Sequence, residues 1–231
     1  MSIKSPDIEN SSSTLSHTPS AMSKRKSKST IAPVIKSFII MDLETTGLED
    51  AKISELCFLA VSRDDILAGG PRLPRVIDKL LICLNPQKDI DDKAQELSGL
   101  TNDMLSGQQP FDVHVAELMD AFIARLPEPV CMVAHYGIRF DFPILKSELE
   151  AIGRTLPGHV RFADTLLASR DLDPGRPSHA LRSIYKNVFG CFPASSHTAE
   201  GDCIALLEIL MANPAPYLEW MDKVSQQHTS A

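Results

Sequence analysis

The chain has 231 residues, 43% of them hydrophobic and 23% charged, and a formal net charge of −7. That length supports one domain with a substantial core plus a tail, and the acidic balance counts against a tight, non-specific nucleic-acid binder. Five scattered cysteines without a Cys-x-x-Cys pair count against a disulfide framework or a zinc site, and fit reduced thiols in the cytoplasm or nucleus.

Residues 1–34 read as a disordered Ser/Thr/Lys-rich tail, because they offer almost no large apolar side chains to offset ordering entropy. Residues 1–30 carry net +3, leaving −10 for the rest. The basic cluster Lys24-Arg25-Lys26 fits a nuclear address, a nucleic-acid contact or a plain solvated tail. No apolar run of about twenty residues occurs, so no membrane partner is expected.

From residue 35 to 226 the pattern is that of one folded domain. Strands are expected at Ser37–Met41, Ile53–Val61 and Val76–Leu84, with Gly47 and Gly69-Gly70-Pro71 as turns. Three strands in succession predict an antiparallel meander. A helix is expected over Val113–Leu126, a buried strand over Val130–Ala134, a helix over Phe142–Ile152 and a strand over Val160–Ala163. Three helical stretches follow, ending at Met221. Alternating β and α in the second half predicts an α/β fold, a mixed sheet flanked by helices.

The first strand carries the strongest chemical signal. It runs directly into Asp42 and Glu44, spaced i, i+2, so both carboxylates face one side of the strand. Two acids there repel and lose hydration, a cost that a divalent cation offsets. Taken alone, the pair fits equally an ordinary strand end with two solvated acids. Asp141 stands two residues before Pro143, which suits the first turn of the next helix. His197 and Asp202 are five residues apart, about 500° around a helix, so one regular helix would point them well apart. His197 is therefore expected in the entering loop and Asp202 in the first helical turn.

Asp42-Leu-Glu44-Thr-Thr-Gly47, then Phe140-Asp141-Phe142-Pro143, then His197-x4-Asp202 resemble, in this order and spacing, the DnaQ-like DEDDh exonucleases. Within that group the chain is most similar to the three-prime repair exonucleases, over about residues 36–224. Glu96-Leu-Ser-Gly-Leu-Thr101, Val133-Ala-His135 and His197-Thr-Ala-Glu-Gly-Asp202 add to the likeness. The resemblance implies a ribonuclease H-like fold and a homodimer acting in DNA repair. It also implies a 3′→5′ exonuclease that releases nucleoside 5′-monophosphates from DNA 3′ ends.

The resemblance further implies two Mg²⁺ ions per site, with Mn²⁺ able to substitute. Such ions, about 3.5–4 Å apart, clamp the attacking and leaving oxygens of a phosphodiester. Asp42 would bridge them, Glu44 and Asp202 would hold one, and Asp141 would support the other. His197 would act as general base, a role suited to an imidazole whose unperturbed pKa is near 6.5. Leu43, the backbone after Glu44 at Thr45, Leu100 and Phe140 would contact the terminal nucleotides. Leu100 and Phe140 read first as plain core residues, as any single apolar residue does.

Two departures from the family pattern stand out. His135-Tyr136-Gly137 replaces the usual His-Asn-Gly, and Asp171–Ser178 is short and half acidic where relatives carry a longer basic loop. The latter predicts a preference for single-stranded or frayed 3′ ends. The rival expectations are a 3′→5′ exoribonuclease on the same scaffold and a catalytically silent exonuclease-like interaction module.

Overall fold

The computed structural model describes residues 33–70 and 72–225. The predicted tail therefore lies outside the described residues except for Pro33 and Val34. The carbonyl of Pro33 accepts a hydrogen bond from Arg161 Nη1 at 2.9 Å.

Among the described residues, five strands form one sheet: β1 (Ser37–Thr45), β2 (Ile53–Ser62), β3 (Asp78–Cys83), β4 (Val130–Ala134) and β5 (Arg161–Asp164). The spatial order is β3-β2-β1-β4-β5. β1, β2 and β3 pair antiparallel, whereas β4 runs parallel to both β1 and β5. The mixed sheet flanked by helices agrees with the expected fold class.

Alternation along β1 sorts its side chains between two cores. Phe38 and Ile40 join Leu59, Val133 and Ala163 against α8 (Ala199–Ala212) and α9 (Pro214–Val224). Ile39, Met41 and Leu43 face the other way, against α4 (Val113–Ala124) and α5 (Asp141–Ala151). α8 is buried nearly all round, which explains its almost continuous apolar sequence.

Three sequence expectations need correction. The β2–β3 connection contains α1 (Arg63–Ala68), capped by the Ser62 side chain, which accepts the Asp65 amide. The meander thus keeps its pairing but not its helix-free path. Second, α2 (Asp92–Ser98) and α3 (Asn102–Leu105) follow β3; they are too short to show periodicity. Third, among the described residues four helices follow β5 rather than three: α6 (Thr165–Leu172), α7 (Leu181–Phe189), α8 and α9. Pro214 lacks an N–H and sits at the head of α9, so the apolar run breaks at Asn213.

The C-terminal helix is tied to the start of β1. Arg63 donates to both Asp222 carboxylate oxygens, at 3.2 and 2.8 Å, and to the Ile35 carbonyl, while the Ile35 amide donates to Asp222. Removing Asp222 strands a half-buried guanidinium. Asp222→Ala should lower stability by about 2–3 kcal/mol without changing turnover, measured by denaturant titration beside steady-state kinetics.

Candidate active site

β1 and β4 run parallel, with Ile40 beside Val133, and β4 gives out at Ala134 while β1 continues. Asp42 and Glu44 occupy that continuation, on the face already turned toward α8 by Phe38 and Ile40. The acids thus lie within the strand rather than beyond its end. Asp202 comes from the first turn of α8, and ligand oxygens of Asp42, Glu44 and Asp202 all fall within 4.8 Å of one another. Asp141 opens α5 directly after the loop that leaves β4, and is 3% exposed.

These groups are electrostatically crowded. Burial, followed by repulsion from Asp141, Asp202 and Glu44, raises the Asp42 carboxyl well above its ordinary range. Burial, then Asp202, Glu55 and Asp141, pushes Glu44 up to about 7. Burial pushes Asp141 up to about 7, although the amides of Asp141 and Leu43 offset part of it. Asp202 is raised by burial and partly relieved by the His197 amide and the His197 and Arg182 charges.

His197 precedes the helix in the left-handed region, at φ 65°, and its amide donates to Asp202 Oδ2 at 3.2 Å. Asp202 Oδ1 is buried and accepts no hydrogen bond. An orphaned carboxylate oxygen beside two more desolvated carboxylates is the donor set a hard divalent cation takes. The loop is held by close contacts. Thr198 accepts the Gly201 amide at 3.0 Å and donates to the Ser195 carbonyl, and a Cβ on Gly201 would collide with that carbonyl. The His197 Nε2 lies 3.4 Å from Arg182 Nη1. Since a guanidinium only donates, Nε2 is the acceptor, and the neutral imidazole carries its proton on Nδ1.

Two further acids escaped the sequence reading. Glu55 is the β2 partner of Glu44, and its carboxylate accepts the Ala199 amide at 2.8 Å, fixing the start of α8 against the sheet. Asp164 ends β5 and accepts the amides of Tyr136, Ile138 and Leu166 at 2.9–3.1 Å, which shapes the loop delivering Asp141. The signal for Asp164 was present, since an Asp before a helical run is a good N-cap. Glu55 had no local signal, because its role depends on a helix far along the chain.

The substrate-contact expectations fare differently. Leu43 is 5% exposed and packs in the core with α4 and α5, so its side chain cannot wedge against a nucleotide; only its backbone amide faces Asp141. Thr45 is buried and its hydroxyl donates to the Gly47 carbonyl. Phe140 is half-buried, at the N-cap of α5 beside Asp141. Leu100 is half-buried, just after α2. The turn at Gly47 abuts Asp91, at the head of that helix. A mainly apolar groove of about 410 Å³ between α5 and the loop after it includes none of the four acids.

A match to the exonuclease family model covers residues 39–210, from β1 through nearly all of α8. The chain belongs to the exonuclease family. Three-prime repair exonuclease 1 from Homo sapiens is 39% identical over 210 residues, spanning 81% of this chain and 67% of the relative. Three prime repair exonuclease 2 from Homo sapiens is 36% identical over 211 residues, spanning 83% and 89%. Within the exonuclease family, the chain therefore sits with the three-prime repair exonucleases.

Solved structures agree on the fold. A 3′-exonuclease recognising a histone mRNA stem-loop matches with a TM-score of 0.62 at 12% identity, covering 78% of this chain and 82% of that one. Exonuclease X in complex with 5′ overhanging duplex DNA matches with a TM-score of 0.53 at 17% identity, covering 83% and 97%. The sheet is thus the ribonuclease H-like sheet expected from the sequence.

Raised carboxyl pKa values carry a sign for stability. Between the unfolded carboxylate range near 4 and the folded values near 7, the native state binds more protons than the unfolded chain. The stability due to these groups is therefore lost as pH rises through that window. In chelator, Asp42→Asn should raise the melting temperature over wild type at about pH 8 and much less at about pH 5. An equal difference at both pH values would show that the crowding is not electrostatic.

Tyr136 is held at φ 73°. Asparagine tolerates that left-handed conformation far better than an aromatic residue. Tyr136→Asn should stabilise the fold by about 1 kcal/mol, seen as a melting temperature roughly 2–4 °C higher.

Proposed function

We propose that this exonuclease is a divalent-metal-dependent 3′→5′ exodeoxyribonuclease that releases nucleoside 5′-monophosphates and prefers single-stranded or frayed 3′ ends. The observation that carries the reading is the carboxylate trio of Asp42, Glu44 and Asp202 within 4.8 Å, with Asp202 Oδ1 buried and unpartnered. Asp42, Glu44, Asp202 and Asp141 would hold Mg²⁺, with Mn²⁺ substituting. Bound, the cations supply positive charge to the phosphate and acidify water.

The chain's own residues do the rest. His197 Nε2, with its lone pair free of a proton, takes the proton of the attacking water. The water oxygen attacks phosphorus, the P–O3′ bond breaks, the O3′ left on the shortened strand takes a proton from solvent, and the departing mononucleotide keeps its 5′-phosphate. The backbone at Glu44–Thr45 and the half-buried Phe140 and Leu100 flank the terminal nucleotide, while the Leu43 amide serves Asp141.

Preference for unpaired ends is supported by the 171–178 segment. Arg176 pairs with Asp173 at 2.9 Å, and Asp171 accepts from the Trp220 indole, so these charges are spent inside the domain. Few cations there remain for a distant duplex backbone. The same reading takes residues 35–226 as the exonuclease domain behind a tail at 1–34, assembled as a homodimer and working in the nucleus, the cytoplasm or both. No described helix is long and apolar enough to cross a membrane.

Labelled single-stranded DNA, blunt duplex DNA and RNA of equal sequence, with Mg²⁺ or chelator, test the reading. Single-stranded DNA should be shortened fastest, and only with metal. Faster loss of RNA would favour the exoribonuclease, and no turnover with either cation would favour the silent module. Asp42→Ala should leave less than about a tenth of the activity, since each metal clamp is worth several kcal/mol. His197→Ala should slow turnover by about 10²–10⁴ while leaving metal binding intact, as measured by calorimetry.

A further inference from the structure

Beside the acidic site, α7 and the loop after it carry a group of residues that the mechanism above leaves unused. Arg182 and Lys186 are four apart on α7 and therefore share one face. The Arg182 Cζ lies 5.0 Å, and the Lys186 Nζ 4.7 Å, from the ring centroid of Phe192. Phe192 is 52% exposed, so its ring and the two cations on it are open to solvent. Two like charges one turn apart repel, and the electron-rich ring face offsets part of that repulsion. Among the described residues, neither cation has a carboxylate within 4 Å, whereas Lys79 is paired with Glu200 and Arg176 with Asp173.

The place of this cluster matters more than its charge. Arg182 Nη1 is 3.4 Å from His197 Nε2, the nitrogen that must reach water at the scissile phosphorus. A guanidinium there lies next to the substrate strand, and its planar fork suits two phosphate oxygens at once. Lys186, one turn and about 6 Å further along α7, is placed for the neighbouring phosphate as a point charge. In an acidic domain these two cations form the positive counterpart to the carboxylate pit.

We propose that Arg182 and Lys186, organised by Phe192, form a two-point phosphate grip on the strand being shortened, set on the histidine side of the site. The proposal rests on the exonuclease reading above. In the free enzyme the Arg182 fork rests against His197, and on binding it turns to the phosphate, leaving Nε2 to the water.

The test has a binding arm and a turnover arm. Anisotropy of a labelled single-stranded DNA, with Ca²⁺ in place of Mg²⁺ and KCl varied, measures the salt dependence of Kd. Each lost phosphate contact should reduce the log–log slope by about 0.7, so Arg182→Ala should lower it by that amount and the double variant with Lys186→Ala by about twice that. Arg182→Ala should also raise KM about tenfold with kcat changed less than about threefold, and Arg182→Lys should restore most of the slope, because it keeps the charge. Phe192→Leu should weaken binding by a smaller factor, by freeing both cations.

An unchanged Kd and slope in Arg182→Ala would overturn the proposal. So would a fall confined to kcat with the slope intact, which would make Arg182 an orienting partner of His197. Absence of turnover in the wild type would count against the exonuclease reading alone, since the slope comparison still decides the grip.

Discussion

Carboxylates that lose hydration and repel one another are the constraint around which this domain is arranged. Ligand oxygens of Asp42, Glu44 and Asp202 converge where β1 runs on past the end of β4, Asp141 adds its repulsion to Asp42 and Glu44, and Glu55 and Asp164 in turn press on Glu44 and Asp141. Burial and mutual repulsion both favour the protonated forms, against the ionised forms that would serve as ligands. The fold must therefore hold these groups in place against their own electrostatics until a cation arrives.

Helix starts are the means. Asp141 lies in the first turn of α5, Asp202 in the first turn of α8, and Asp164 caps α6. Three helix N-termini thus aim amides and the positive ends of their dipoles at one edge of the sheet. The amides are specific: Leu43 and Asp141 serve Asp141, His197 serves Asp202, and Tyr136, Ile138 and Leu166 serve Asp164. The left-handed backbone at Tyr136 and His197 belongs to the same device, since both loops must turn sharply to present an N–H. Such strain persists where the surrounding structure over-determines it.

The sequence revealed the acids and the loop position of His197 because each sits at a local punctuation mark: the end of an apolar strand, a proline-marked helix start, a loop before an apolar helix. The five-residue step from His197 to Asp202 was enough to separate loop from helix, as found at Ala199. What stayed hidden depended on distant contacts. Glu55 matters through an amide 144 residues away, and Arg182 through a histidine in the loop after its own helix. Leu43 was misread because its neighbours invite attention, although strand alternation already assigned it to the opposite face with Ile39 and Met41. The short helices α1, α2 and α3 lacked the length for any period to emerge.

Alternation along β1 has an evolutionary consequence. Core and chemistry share a single nine-residue strand, pairing with β2 on one side and β4 on the other. Losing or gaining one residue between Ser37 and Asp42 would exchange the two faces, sending Asp42 and Glu44 into the packing against α4 and α5 and Leu43 into the acidic pit. Descendants of this chain can drift freely in side-chain size along the strand, but length there is inherited whole or the enzyme is lost, so insertions should accumulate in the surface connections and never in this segment.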